Sequence, residues 1–393
     1  MVLTMVLTMV QLSIKRWFGM LPHSDADDQL ELLGSLLDKA GSADGVSKLL
    51  SEHPNCLSSV VKLLCSSKAD VQQQAAMVLD YIAEAGPTFA VQVAETDGVV
   101  GGLVAQLQSS AVNVQCAAAC TLHGLAEQHA VSSGIIGRAP GAVTALVALL
   151  SCSDADVQRA AANAWAYIAL NSLANQNRIA AEPGAIKGFT ILLSSSCAAL
   201  QNSAAGSLSV IAHNSAANSE RIGQEPGAIV GLIALLNSMA EEGPTIAAVA
   251  LGALAIQVPA NSERIAREPG ALTGLVALVS SRDANAQTAA ANALAALASQ
   301  PSANSERICW EPGALTGMVA MLGSIDANAQ KAAFMAANAL ATLAAQSPAN
   351  SAHWPGAWCN YWPDCNAQQH GSIITSSSSF CPGRPCQAVP SKQ

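Results

Sequence analysis

Aromatic residues are scarce in this sequence, at 4% of 393 positions, and charge is scarce as well, at 11%. The second figure is less than half of the roughly 25% found in typical soluble domains. A surface with so few charges must be made of Ser, Asn, Gln and Ala. The shortage of rings excludes a core organised around large aromatics. Clustered basic residues are also missing: residues 46–349 carry 13 Lys and Arg against 20 Asp and Glu, and the formal net charge is −9. Nucleic-acid binding and adsorption to an anionic membrane both require clustered Lys and Arg, so neither is expected. No apolar run is long enough to span a bilayer. Segment 1–14 is too short for a spanning helix. Lys15 and Arg16 follow that segment, whereas a secretory signal carries its charges first. A disordered leader over residues 1–24 is expected, or a start site placed too early. The lack of any acid before Asp25 leaves a transit peptide as the alternative. Val2 excludes N-myristoylation.

Recognisable catalytic motifs are lacking too. The seven His fall in no short metal-binding spacing, and there is no nucleophile elbow, phosphate loop or dinucleotide fingerprint. No segment reads as a strand that would carry such a loop. His123 and His213 fall on or near helices and read as structural or surface residues. The chain is therefore expected to be no enzyme and to need no cofactor, metal or small-molecule substrate. The eleven Cys are odd in number and irregular in spacing, which does not fit a secreted disulfide framework. A reducing compartment is expected, cytoplasmic and with the nucleus open as well. Near the C-terminus, Cys359, Cys365, Cys381 and Cys386 beside His353 and His370 lack the tight pairs of a zinc site, so a disordered Cys- and Ser-rich tail is expected. Trp354, Trp358 and Trp362 share a helical spacing that Pro355 and Pro363 interrupt.

What is present is apolar and periodic. Apolar residues make up 51% of the chain. Asn-Ser-Glu-Arg-Ile begins at Asn218, Asn261 and Asn304, with a variant at Asn175, and every step is 43 residues. Pro-Gly pairs at Gly141, Gly184, Gly227, Gly270 and Gly313 keep the same period. Continuing back through Gly98 reaches Asn55, a residue that tolerates positive φ, so the same turn is expected there.

Each unit resolves into three helices. In residues 261–303, Asn261 reads as the N-cap of a short first helix, and Pro269-Gly270 breaks it. Leu272, Leu275, Val276 and Val279 form the stripe of a second helix. A third helix from about Ala284 to Ala298 points Ala290, Ala293, Leu294 and Leu297 inward. The rung of Leu294 is filled by Leu79, Leu122, Trp165, Leu208, Leu251 and Leu340. That of Leu297 is filled by Ile82, Leu125, Ile168, Ile211, Leu254 and Leu343. The last step is 46, from an insertion near Ala332–Met335. Trp165 is thereby read as core. One unit cannot bury its apolar face alone, so the units must stack into a continuous core.

A short helix, a Gly turn, a longer helix and a long third helix, repeated with N-S-E-R-I-x-x-E-P-G-A-[IL]-x-G-[LM], resembles the armadillo repeat. The resemblance covers residues 46–349. It implies an all-α, right-handed superhelical solenoid of about seven repeats. The expected units are 46–88, 89–131, 132–174, 175–217, 218–260, 261–303 and 304–349. An N-terminal capping helix over 29–39 makes the solenoid 25–349. Residues 350–393 read as a degenerate eighth repeat and tail.

The resemblance also implies that third helices line a groove for extended peptides. Nuclear-import adaptors of the family place a Trp there and an Asn four residues on. The first position holds Met77, Cys120, Asn163, Gly206, Val249, Asn292 and Asn338. The second holds Tyr81, Gly124, Tyr167, Val210, Ala253, Ala296 and Thr342. Neither code is present, so a conventional import receptor for basic signals is not expected. What remains as partner-binding candidates is Asn163, Asn292 and Asn338, whose amides can pair with a main chain, and Tyr81 and Tyr167, rigid amphipathic rings. Trp310, next to Glu311, is a further exposed candidate. The expected function is a protein-binding scaffold. The alternatives are the substrate-recognition part of a ubiquitin-ligase-type assembly and a structural spacer in a larger complex.

Overall fold

The computed structural model of the protein describes residues 25–40, 42–170, 172–299, 304–322 and 330–346. The leader over 1–24 and the expectations for 350–393, zinc ligands and tryptophans included, lie outside these described residues.

All secondary structure among the described residues is helical. Helix α1 (Ala26–Ala40) precedes seven triplets. The first helices are α2 (Ala43–Glu52), α5 (Pro87–Glu95), α8 (Ala130–Arg138), α11 (Leu173–Ala181), α14 (Ala216–Gln224), α17 (Pro259–Arg267) and α20 (Asn304–Trp310). The second are α3 (Cys56–Leu63), α6 (Val99–Gln106), α9 (Ala142–Leu149), α12 (Ala185–Leu193), α15 (Ala228–Leu236), α18 (Ala271–Val279) and α21 (Ala314–Leu322). The third are α4 (Ala69–Glu84), α7 (Val112–Gln128), α10 (Ala155–Ala169), α13 (Ala198–Ala212), α16 (Gly243–Ala255), α19 (Ala284–Ala298) and α22 (Gln330–Gln346). Neighbouring third helices pack side by side through the array, which makes the architecture an armadillo-type solenoid. No single helix among the described residues is long and apolar enough to cross a membrane.

The turn between first and second helices sets the shape of each triplet. At Gly98, Gly141, Gly184, Gly227, Gly270 and Gly313, φ lies between 76° and 89°. An L side chain in that region costs about 1–2 kcal/mol, so Gly recurs there. The turn at Gly141 bends α8 against α9 by 91°. Asn55 departs from the expectation, because its φ is −89° and its ψ 5°. Those angles belong to the third residue of a type I turn, while Gly98, at φ 83° and ψ −13°, belongs to a type II turn. Both turns close with the same bond, from Cys56 N to His53 O at 2.9 Å and from Val99 N to Thr96 O at 3.1 Å. Asn thus keeps the hydrogen bond while avoiding the left-handed region.

The interior follows the two apolar rungs. All fourteen residues of the Leu294 and Leu297 series are at most 1% exposed, Trp165 included. Ala at the intervening positions lets the third helices approach closely. Burying each large aliphatic side chain contributes about 1.5–3 kcal/mol, and the sum runs the length of the array.

Asn261 corrects a second expectation. It does not cap α17, which starts at Pro259 after Val258. It is 3% exposed, inside the first turn. Its Nδ2 donates to Leu254 O at 3.2 Å, at the end of the preceding third helix, and to Ser219 O at 2.7 Å, in the preceding first helix. Asn175 does the same with Ile168 O at 2.8 Å and Ser133 O at 3.2 Å. Asn218 and Asn304 keep the bond seven residues back but reach Asn177 Oδ1 at 3.0 Å and Ser262 Oγ at 3.0 Å instead. The residue facing each Asn explains the alternation. A Cβ at Gly137 or Gly223 would fall 2.3 or 1.8 Å from the Oδ1 of Asn175 or Asn261, so Gly makes room for the deeper reach. Ala180 and Ala266 occupy the equivalent positions before Asn218 and Asn304. Ser219 and Ser305 donate to Ala212 O and Ala298 O. Arg178, Arg221 and Arg264 donate to Gly137 O, Ala180 O and Gly223 O of the first helix before. The repeated Asn-Ser-Glu-Arg-Ile segment is therefore the seam between successive triplets.

A second ladder pins the loops entering the third helices. Gln72, Gln115, Gln158, Gln201 and Gln287 donate to loop carbonyls at Ser66, Ser109, Cys152, Ser195 and Ser281, at 2.6–2.9 Å. In the fifth triplet the equivalent position is Pro244. Its loop, 237–242, is one or two residues longer than the other described loops at this place, and Met239 there is fully exposed.

Candidate functional site: the third-helix face

The exposed side of the third helices differs along the array. In α4, α7 and α10 it carries Asp70, Asp80, Glu84, Glu127 and Asp156 against one base, Arg159. In α13, α16, α19 and α22 the only charged residue is Lys331.

The charged half is a polar cluster built on α7. His123 Nε2 lies 3.7 Å from Glu127 Oε2, one turn on. The His123 ring sits 4.8 Å, centroid to centroid, from that of Tyr167 on α10, tilted by 60°. Burial pulls the His123 imidazole below its ordinary value, and Glu127 opposes the shift. Burial also raises the Tyr167 phenol, with its hydrogen bond to Glu127 adding to the shift. Asp80 on α4 is pushed up to about 6, first by burial and then by Glu84 and Glu127. Gly124 allows this packing, because a Cβ there would lie 2.4 Å from Asp80 Oδ1. Arg159 pairs with Asp156 at 3.0 Å on its own helix.

The neutral half forms a groove of about 540 Å³ across α13, α16, α19 and α22. Its floor is made of Gly252, Ala253, Ala293 and Ala296. Gly252 lets α16 settle against α19, since a Cβ there would meet Ala293 Cα at 3.3 Å. Asn292 and Asn338 project from adjacent helices, and both are exposed. Val249 and Ile256 add exposed apolar surface, 48% and 57% accessible. His213 and Asn214 close one end, and Asn214, at φ 57°, is the one non-glycine with positive φ among the described residues. Thr342 donates to Asn338 O at 2.8 Å. Main-chain partners could use the amides here while small apolar side chains rest on the Ala floor.

Of the six residues expected from sequence, the groove brings Asn292 and Asn338 together. Asn163 and Tyr81 are half-buried on the charged half, with Tyr167 held against His123. Trp310 is 62% exposed on α20, in a shallow depression with Ala266, Leu272 and Arg307, among first and second helices. Val249, Ile256, His213 and Asn214 were not expected as site residues. Extending the 43-residue comparison one turn further, through Leu170, His213, Ile256 and Ser299, would have shown the end of the groove. Among the described residues, no three His, Cys, Asp or Glu gather where they could hold a metal ion.

No protein-family model and no curated protein matches the sequence. Solved structures do. An engineered protein from a structural genomics consortium is 27% identical, with a TM-score of 0.65 over 86% of this chain and 90% of that one. A designed armadillo repeat protein is 25% identical, with a TM-score of 0.57 over 61% of this chain and 99% of that one. The chain belongs to the armadillo-like repeat family. A further designed armadillo repeat protein, solved in complex with the peptide (KR)4, is 24% identical, with a TM-score of 0.55 over 61% of this chain and 98% of that one. In this armadillo-like chain, the face spanning the last four third helices carries no acid.

Proposed function

We propose that this armadillo-like protein is a non-catalytic scaffold that binds an extended protein segment along its third helices, with the neutral groove as the main contact. The juxtaposition of Asn292 and Asn338 on adjacent helices, in a groove that also holds Gly252, Ala253, Val249 and Ile256, carries this reading. A carboxamide offers donors and an acceptor to a strand-like main chain without selecting a charge. The shallow small-residue floor fits side chains no larger than Ala, Ser or Val. A groove free of charge has no electrostatic reason to prefer a basic or an acidic ligand. The solved complex of a designed armadillo repeat protein with the peptide (KR)4 supports the mode, and the lack of acids on this face supports a ligand that is not basic.

Selection of a random peptide display library on the full chain tests this. Enriched sequences should be poor in charge and rich in small residues. A paired selection on the Asn292→Ala, Asn338→Ala variant should lose them. Enrichment of Lys- and Arg-rich sequences, retained by the variant, would move the binding site to the acidic third helices and overturn the neutral groove.

A further inference from the structure

The seventh triplet breaks a pairing that the two before it keep on their first helices. In α14 and α17 the final residue of the helix reaches back one turn to a glutamate. Gln224 Nε2 donates to Glu220 Oε1 at 3.1 Å, and Arg267 pairs with Glu263. In α20 the glutamate remains as Glu306, but the residue four positions on is Trp310. Elsewhere in the array that position holds Glu52, Glu95, Arg138, Ala181, Gln224 and Arg267, with no other aromatic. Glu306 is exposed and has no hydrogen-bond or ion-pair partner among the described residues.

Trp310 and Glu306 border a depression of about 460 Å³ between the sixth and seventh triplets. Ala266 of α17 and Leu272 of α18 are its buried apolar lining, with Arg307 and Glu311 beside them. We propose that this depression is a second contact surface, one that takes an arginine side chain of a partner protein between the Trp310 ring and the Glu306 carboxylate.

The chain itself shows which group fits. One triplet earlier, the cation on the equivalent glutamate is an arginine, Arg267 on Glu263. Trp310 removes that internal cation and sets a ring in its place, which leaves the carboxylate open to a cation from outside. The indole face attracts a cation through its quadrupole. A guanidinium meets both partners at once: its plane stacks on the ring while its edge directs paired N–H donors at a carboxylate. An ammonium has no such plane. The other charged groups keep the balance negative. Glu311 adds a second carboxylate, whose Oε1 accepts from Thr273 Oγ1 at 2.7 Å. Arg307, the one base there, donates through Nη1 to Asn304 Oδ1 at 3.4 Å, toward the seam. This surface belongs to first and second helices, so it is separate from the neutral groove and independent of the ligand proposed there.

Fluorine NMR of the full chain carrying 5-fluorotryptophan tests this, with the Trp310 resonance assigned by its loss in Trp310→Phe. The probe is the capped tripeptide Gly-Arg-Gly, beside versions with lysine or with citrulline, the uncharged isostere of arginine. The arginine peptide should shift the Trp310 resonance until it saturates. The lysine peptide should bind about two- to fivefold more weakly, and the citrulline peptide should leave the resonance in place. Glu306→Gln, an isosteric change on open surface, should weaken the arginine peptide about two- to fivefold with an unchanged melting curve. An unshifted Trp310 resonance, a lysine or citrulline response equal to that of arginine, or an affinity unchanged in Glu306→Gln would overturn the assignment.

Discussion

Asparagine runs through this molecule in two registers, and their contrast separates what holds the array together from what it offers to a partner. On the first helices, Asn175, Asn218, Asn261 and Asn304 recur at every step of 43 and are at most 3% exposed. On the third helices, Asn163, Asn292 and Asn338 alternate with Met77, Cys120, Gly206 and Val249, and none of the three is buried. The seam repeats because each unit must present the same donors to the same carbonyls of its neighbour. The face varies because nothing inside the protein constrains it. In a stacked array, faithful repetition therefore marks structure, and departure from repetition marks the surface free to specialise.

The largest effect separating the two registers should come from the seam. Asn261→Ala removes the donor to two buried carbonyls and should cost about 2–3 kcal/mol, measured by urea unfolding of the full chain. A loss under 0.5 kcal/mol would mean that the seam is held by apolar packing alone.

Next comes the charged half of the face. Asp80 holds its proton up to about pH 6 in the folded chain against an ordinary 3.8. Because the folded state binds this proton more tightly than the unfolded one, its charge costs stability, with the cost growing between about pH 4 and pH 6. Asp80→Asn should then stabilise the chain at pH 7 by about 1–2 kcal/mol, allowing for partial exposure, and change nothing near pH 4. Thermal melts of both chains at the two pH values check this, and a gain of equal size at pH 4 would assign it to packing instead.

A smaller effect belongs to the loops that enter the third helices. The fifth triplet has Pro244 where the first four and the sixth pin their loop with Gln, and its exposed loop carries Glu241 and Glu242. Unpinned exposed backbone is where proteases cut first. A glutamate-specific protease should nick there before any other site, with the fragments read by mass. An earlier cut at Glu84 or Glu127 would show that the acidic third helices open more readily than this loop. Smallest in stability should be Asn292→Ala with Asn338→Ala, both on open surface, which should stay within about 0.5 kcal/mol of the parent.

The fold was legible because apolar rungs and turns repeat: every residue of the Leu294 and Leu297 series is buried, and six of the seven expected left-handed turns are made by Gly. Asn55 was misread because Asn has two ways to close the turn. Asn261 was misread because capping and buried donation use the same residue at nearly the same place. The site was less legible. Asn292 and Asn338 could be named from a ladder, but the groove also depends on Gly252, which no repeat pattern singles out, and on Ala293, which reads in sequence as ordinary core. The clustering of Asp80, Gly124, Glu127 and Tyr167 joins three helices through side-chain packing that no period of 43 encodes.

The most direct test is the affinity of an uncharged peptide, obtained by selection on the full chain, for the parent and for the Asn292→Ala, Asn338→Ala variant, by fluorescence anisotropy. Two lost main-chain hydrogen-bonding groups, each worth about 0.5–1.5 kcal/mol, predict a Kd at least about fivefold weaker with an unchanged melting curve. Equal Kd values with equal melting would contradict the account and leave the neutral groove without a binding role.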